Sequence, residues 1–192
     1  MIPSTPPCVF LDACVMYPAP VVDLLLSLAS EGLFRPRWSN MVHEEWVNKL
    51  LENQPELKRD QLKKRVNAMN KAFPEASISH FKPLIQQLKL PDPNDRHVLA
   101  ASIKGRVESI ITFNVKDFPE MYIQSFKISI QHPDSFISHW IDSNRDHACN
   151  AFHKQIQRLK NPPIGSEKLL KILEQCGLPK SAKKLSKQCA RN

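Results

Sequence analysis

Cys8-Val9-Phe10-Leu11-Asp12 is a short apolar run closed by an acid, and it reads as a buried strand rather than a helix. Downstream, Val21–Glu31 has helical periodicity and stops at Gly32. Leu33–Trp38 reads as a second strand, with Pro36 suiting a sheet edge or a strand end. Ser39 is placed to cap a helix over Met41–Leu51. Pro55 opens another helix, running to about Phe73 with Leu57, Leu62, Val66 and Met69 on one face. Asp95–Lys104 is a compact helix closed by Gly105, Ser109–Thr112 a third strand and Lys127–Gln131 a fourth. Strands alternating with helices predict an α/β fold, a parallel sheet with helices on both faces.

Beyond Pro133 the pattern is purely helical, over Asp134–Asp142, Asn144–Lys160, Ser166–Gln175 and Lys180–Gln188, with a break at Pro162–Pro163. The expected organisation is an α/β domain over residues 1–134 and an all-helical extension over 135–192.

The 192 residues are 42% hydrophobic and 24% charged, which excludes global disorder. The longest apolar stretch, near Val21–Ala29, is interrupted by Asp23 and falls short of the roughly 18 residues a bilayer span needs. Met1–Pro7 holds three prolines and no basic residue, unlike a secretory leader. The five cysteines are scattered, with no Cys-x-x-Cys pair, so neither a disulfide framework nor a zinc knuckle is expected and a reducing cytoplasm is the simpler setting. The four glycines are isolated, which excludes a phosphate-cradling P-loop and a dinucleotide fingerprint. Gly32, Gly105 and Gly177 stand where helices should stop, the left-handed position glycine fills best.

The net charge of +8 is unevenly spread. Residues 1–150 carry 17 Lys and Arg against 17 Asp and Glu, whereas residues 151–192 carry 10 against Glu167 and Glu174 alone. A basic appendage beside a neutral body points to a polyanion partner, since neutralising phosphates releases counterions; a lysine-rich solvated helical surface is the plainer alternative.

In an open α/β sheet, ligands bind beyond the carboxyl ends of the strands. Asp12 ends the first strand, Glu45 lies on the helix after the second, Asp95 heads the helix closed by Gly105, and Asn114 and Asp117 follow the third strand. Carboxylates gathered at one sheet edge repel unless a cation neutralises them, and an all-oxygen site suits Mg²⁺ or Mn²⁺. Such a cation serves phosphodiester hydrolysis by activating a water and stabilising charge on the phosphate.

These residues also carry a resemblance. Val9-Phe-Leu-Asp12, Ser39-(x)5-Glu45, Asp92-Pro-Asn-Asp-Arg-His-Val-Leu-Ala-Ala101 and Thr112-Phe-Asn-Val-Lys-Asp-Phe118 together resemble the PIN-domain nucleases, specifically the VapC-type ribonuclease toxins of bacterial toxin–antitoxin pairs. The resemblance implies a PIN fold, Mg²⁺ or Mn²⁺ dependence, endonucleolytic cleavage of RNA, a homodimer and inhibition by a cognate antitoxin. It assigns metal-binding acids to Asp12, Glu45 and Asp95. Many relatives place an aspartate where this chain has Asn114, leaving Asp117 to supply the charge and Asn114 to ligate through its amide oxygen; which of the two completes the set stays open. Thr112 and Ser39 are supporting residues.

Each acid has a plainer reading: Asp12 as a cap, Asp95 as a first-turn acid, Asp92 and Asp117 as turn residues, Glu44 as a solvated neighbour of Glu45. His97 reads as a hydrogen-bonded structural histidine, Arg96 as a phosphate contact or a surface ion pair, and the three tryptophans as core. A haloacid-dehalogenase-type phosphatase is disfavoured, because Cys14 stands where its second aspartate belongs. A DNA nuclease on the same acids, and a non-catalytic nucleic-acid-binding module using the basic tail, are the competing functions.

Overall fold

The computed structural model describes residues 5–160 and 162–189. The reading of Met1–Pro7 therefore falls outside the described residues at positions 1–4, as does Arg191 of the basic tail. The chain forms two compact units that do not follow sequence order: one joins Cys8–Tyr17 to Pro36–Gln131, the other joins Pro18–Arg35 to the stretch from His132 onward.

The first unit is built on a sheet of β1 (Cys8–Leu11), β2 (Arg35–Ser39), β3 (Ser77–Ile78), β4 (Ser109–Ile111) and β5 (Ser129–Gln131), in the order β3-β2-β1-β4-β5. β1 pairs with β4, β4 with β5 and β2 with β3, all in parallel. Val9, Phe10 and Leu11 have no solvent exposure, as a central parallel strand covered on both faces requires. The accompanying helices, numbered along the chain, are α1 (Ala13–Met16), α3 (Asn40–Asn53), α4 (Arg59–Ala72), α5 (Lys82–Ile85), α6 (Arg96–Lys104) and α7 (Glu120–Gln124). The predicted α/β class and parallel sheet are thus observed.

Of the two placements that Pro36 suggested, the strand end is the one observed: it lies at the start of β2, before the pairing of Trp38 with Ser77 begins, and β2 itself is interior rather than an edge. One local expectation is corrected. Gly105 does end α6, but with φ of −79°, and the left-handed residue is Arg106 at φ 49°. What stands close to Gly105 is Ile78: a Cβ at 105 would lie 2.2 Å from Ile78 Cδ1, so that side chain would have to shift to admit it. Gly105→Ala is expected to cost about 1–3 kcal/mol by overpacking, and Ile78→Val in the same chain to return most of it, measured by urea unfolding. Gly32 and Gly177 do take positive φ.

The second unit is all helical: α2 (Ala19–Ser30), α8 (Pro133–Ser143), α9 (Arg145–Arg158), α10 (Ser166–Gln175) and α11 (Pro179–Cys189). The bounds fall within two residues of those predicted beyond Pro133. α2 buries Val21, Val22, Leu24, Leu25 and Leu28, packing on α9 and α10. Phe34 meets Phe136 edge-on with centroids 5.0 Å apart. Part of the basic excess is paired within the unit: Lys154 with Glu31 at 2.6 Å, Arg158 with Asp23 at 2.9 Å, and Lys184 with Asp142. Buried Asp134 of α8 accepts hydrogen bonds from the Lys180 and Ser181 N–H groups and the Ser181 hydroxyl, satisfying the start of α11.

Cys149 of α9 and Cys189 of α11 form a disulfide, against the expectation from their scatter. The two residues meet because α9 and α11 pack together, a tertiary fact their separation of 40 residues conceals. The bond removes the cysteine argument for a reducing compartment. Among the described residues, no helix is long and apolar enough to cross a membrane.

Candidate active site

The site is assembled at the carboxyl ends of β1 and β4. Asp12 follows β1 and still donates its N–H to the Ile111 carbonyl at 3.1 Å. It is 4% exposed. Its Oδ1 accepts from the Ala13 N–H at 2.6 Å, so it does cap α1; its Oδ2 accepts from the Thr112 hydroxyl at 2.7 Å and the Cys14 thiol at 3.2 Å. Burial pushes the Asp12 carboxyl above its ordinary pKa, the bonds from Thr112, Cys14 and Ala13 pull it down, and the Glu45 charge adds to the rise. Thr112 is fully buried just past β4, where its Oγ1 also accepts the Asn114 N–H at 3.0 Å. The Cys14 sulfur accepts the Phe113 N–H at 3.2 Å, and burial pushes its thiol pKa up, so it serves as a positioning group.

Ser39, wholly buried at the end of β2, caps α3 by accepting the Val42 N–H at 3.3 Å. α3 then carries Glu45 on its exposed side, where Oε2 lies 3.2 Å from Nε2 of buried His97 on α6. Glu44 is exposed beside it. Asp95 immediately precedes α6 and is partly buried. Burial, then the charges of Asp12, Asp92, Asp117 and Glu45, push its carboxyl up to about 7. Asp92 is fixed in a turn, its Oδ1 accepting the Asn94 N–H at 2.8 Å. Asp117 ends a short 3-10 turn over Val115–Asp117 that Asn114 heads; Asn114 itself is exposed.

Asp12, Glu45, Asp92 and Asp117 all act electrostatically on Asp95, and Glu45 also acts on Asp12; four of these five acids, Asp12, Glu45, Asp95 and Asp117, were singled out in the sequence. This set fits a divalent cation in charge and in its hard oxygen donors. Among the described residues, however, no three His, Cys, Asp or Glu side chains stand together in ligand geometry. Both Asp12 oxygens accept hydrogen bonds, and Glu45 Oε2 faces His97.

A family model described as PIN domain matches residues 8–116, more than half the chain. The chain belongs to the PIN-domain family. A second model, described as VapC50 C-terminal domain, matches residues 133–187. The chain is 33% identical over 79 residues to "Putative ribonuclease VapC50" of Mycobacterium tuberculosis, a match covering 41% of this chain and 47% of that protein. The chain thus aligns with about half the length of that relative. No solved structure matches the chain.

Three features of this PIN domain escape sequence reading. Cys14, noticed only as a departure from a phosphatase pattern, holds Asp12 and Thr112. Asp92 adds charge against Asp95 while keeping its turn role. The partner of buried His97 is Glu45, and its Nδ1, like Nε of Arg96, is buried without a hydrogen bond.

The crowding makes a stability prediction for the PIN domain. Folded Asp95 keeps its proton to about pH 7, whereas the ordinary carboxyl releases it near 3.8. Between those values the folded state binds more protons than the unfolded, so this group's contribution to stability falls as pH rises. In EDTA, the urea midpoint of the wild-type chain is expected to lose more ground from pH 5 to pH 7.5 than that of Asp95→Asn. Equal changes would refute the crowding.

Proposed function

We propose that this PIN-domain protein is a divalent-cation-dependent endoribonuclease, the toxin of a toxin–antitoxin pair, hydrolysing RNA phosphodiester bonds. The observation that carries the reading is the convergence of Asp12, Glu45, Asp92 and Asp117 on a partly buried Asp95, a cluster with little purpose unless positive charge enters it. The likeness to a protein named as a ribonuclease supports RNA as the substrate. A cognate antitoxin, a second copy of the chain and a cytoplasmic setting belong to the same reading.

Asp12, Glu45, Asp95 and Asp117 are the acids that would hold Mg²⁺ or Mn²⁺, with Asn114 as a neutral oxygen donor. When bound, such a cation supplies Lewis acidity to a water and to the phosphate. The chain's own residues do the positioning. Thr112 and Cys14 aim the Asp12 carboxylate, Ser39 starts the helix that carries Glu45, and His97 restrains Glu45.

The test is incubation of the full chain with single-stranded RNA and with matched DNA, in Mg²⁺, Mn²⁺ or EDTA. Cleavage of RNA with either metal and none in EDTA is expected. Salt-dependent RNA binding without cleavage in any metal would favour the binding-module reading, in which the basic tail makes the contact.

A further inference from the structure

We propose that the groove between α1 and α3 is a nucleobase subsite, taking one unpaired base of a single-stranded RNA whose backbone passes the carboxylate cluster. The identity of the ligand rests on the ribonuclease reading; the shape and chemistry of the groove stand apart from it.

The groove has a volume of about 580 Å³, and its lining includes Cys14, Tyr17, Glu45, Trp46, Asn48 and Asn53. That volume lies in the range of small-ligand sites, roughly 300–1,000 Å³. Cys14 and Glu45 belong to the acid cluster, so the groove adjoins the place where a phosphodiester would react. Its aromatic wall comes from two rings with different roles. Trp46 is 1% exposed, its ring lies under the Arg65 guanidinium at 4.7 Å, and its indole N–H donates to His43 Nδ1, so it is a fixed backing. Tyr17 is only partly buried, and its ring is the surface on which a base can stack.

Two amides line the groove, each with one of its polar atoms already engaged. Asn53 donates from Nδ2 to the Tyr17 hydroxyl at 3.0 Å, which steadies that side chain and leaves Asn53 Oδ1 as an acceptor. Arg59 donates to Asn48 Oδ1 at 2.9 Å, which leaves the Asn48 amide hydrogens as donors. An acceptor and a donor beside an aromatic face match the edge of a nucleobase, whose amino or imino hydrogens and ring nitrogens or carbonyls alternate in the same way. The groove's one lysine, Lys49, is paired with Glu52 at 3.3 Å.

The experiment is a fluorescence titration of the full chain in EDTA with a 5′-fluorescein-labelled 12-nucleotide single-stranded RNA, and with a set carrying one abasic ribose at each position in turn. One abasic position is expected to weaken binding by about tenfold, from the usual worth of a base–aromatic stack. Tyr17→Ala is expected to abolish that difference, and Asn48→Leu to flatten preference among the four bases at that position. Twelve abasic RNAs that bind like the intact strand would overturn the subsite, as would a folded Tyr17→Ala chain that keeps the full tenfold effect. Should Tyr17→Ala fail to fold, unchanged base preference in Asn48→Leu overturns it instead. A chain that shows the abasic effect in EDTA but never cuts RNA in Mg²⁺ or Mn²⁺ supports the subsite while sinking the ribonuclease reading.

Discussion

Asp95→Asn protein is expected to lose RNA cleavage by about 10³-fold, on the order of 4 kcal/mol of transition-state stabilisation, while its metal-free form at pH 7.5 becomes no less stable than wild type. The second half is as informative as the first. Asparagine keeps the shape of the side chain and removes a charge that Asp12, Asp92, Asp117 and Glu45 all repel. A substitution that damages the fold would lower both quantities; one that removes a needed charge lowers only the rate. Rates come from single-turnover cleavage of labelled RNA in Mn²⁺, and stability from urea midpoints. Wild-type cleavage by an Asp95→Asn chain purified free of contaminants would end the carboxylate mechanism. Thr112→Val makes a graded companion: it deletes the 2.7 Å bond that aims Asp12, and a loss of roughly 10–100-fold is expected of a residue acting through a ligand.

Asp134→Ala is expected to destabilise the helical unit by about 3 kcal/mol, read by urea unfolding. Asp134 is 3% exposed, and its Oδ1 accepts from the Ser181 N–H and hydroxyl, both at 2.7 Å, while Oδ2 accepts the Lys180 N–H at 3.0 Å. Truncation leaves the first turn of α11 with unmet donors in a buried place, and hydrogen bonds to a charged group are worth about 1.5–3 kcal/mol each. Asp134→Asn keeps one acceptor oxygen and should lose about half as much. An alanine variant within 0.5 kcal/mol of wild type, the usual range of surface changes, would show that α11 is held by its apolar contacts alone.

The parts of this protein legible in the sequence are those encoded within a few residues. β1 is a saturated apolar run ending in an acid, α6 has a periodic face and a stop, and Ser39 announces a helix; each appears within about a residue of its expected place. The two-residue β3 and the short α5 and α7 went unread because they are too brief to show a period. At the site, the acids were legible because their chemistry singles them out one by one. The bond from Cys14 to Asp12 was not, since a cysteine two residues on from an acid has no distinctive signal. Gly105 was read correctly as a stop and wrongly as a left-handed one, because the reason for it, Ile78, sits 27 residues away.

The second unit's discontinuity bears on how the chain is made. α2 leaves the ribosome early with an apolar face of Val21, Val22, Leu24, Leu25 and Leu28, yet α9, one of the helices that cover it, begins only at Arg145. For more than a hundred residues of translation that face lacks α9, a window in which a nascent chain is exposed to chaperones and to self-association. A polypeptide stopped at residue 134 would lack α9 and α10 permanently, so trimming the basic tail should yield inclusion bodies rather than a smaller folded protein.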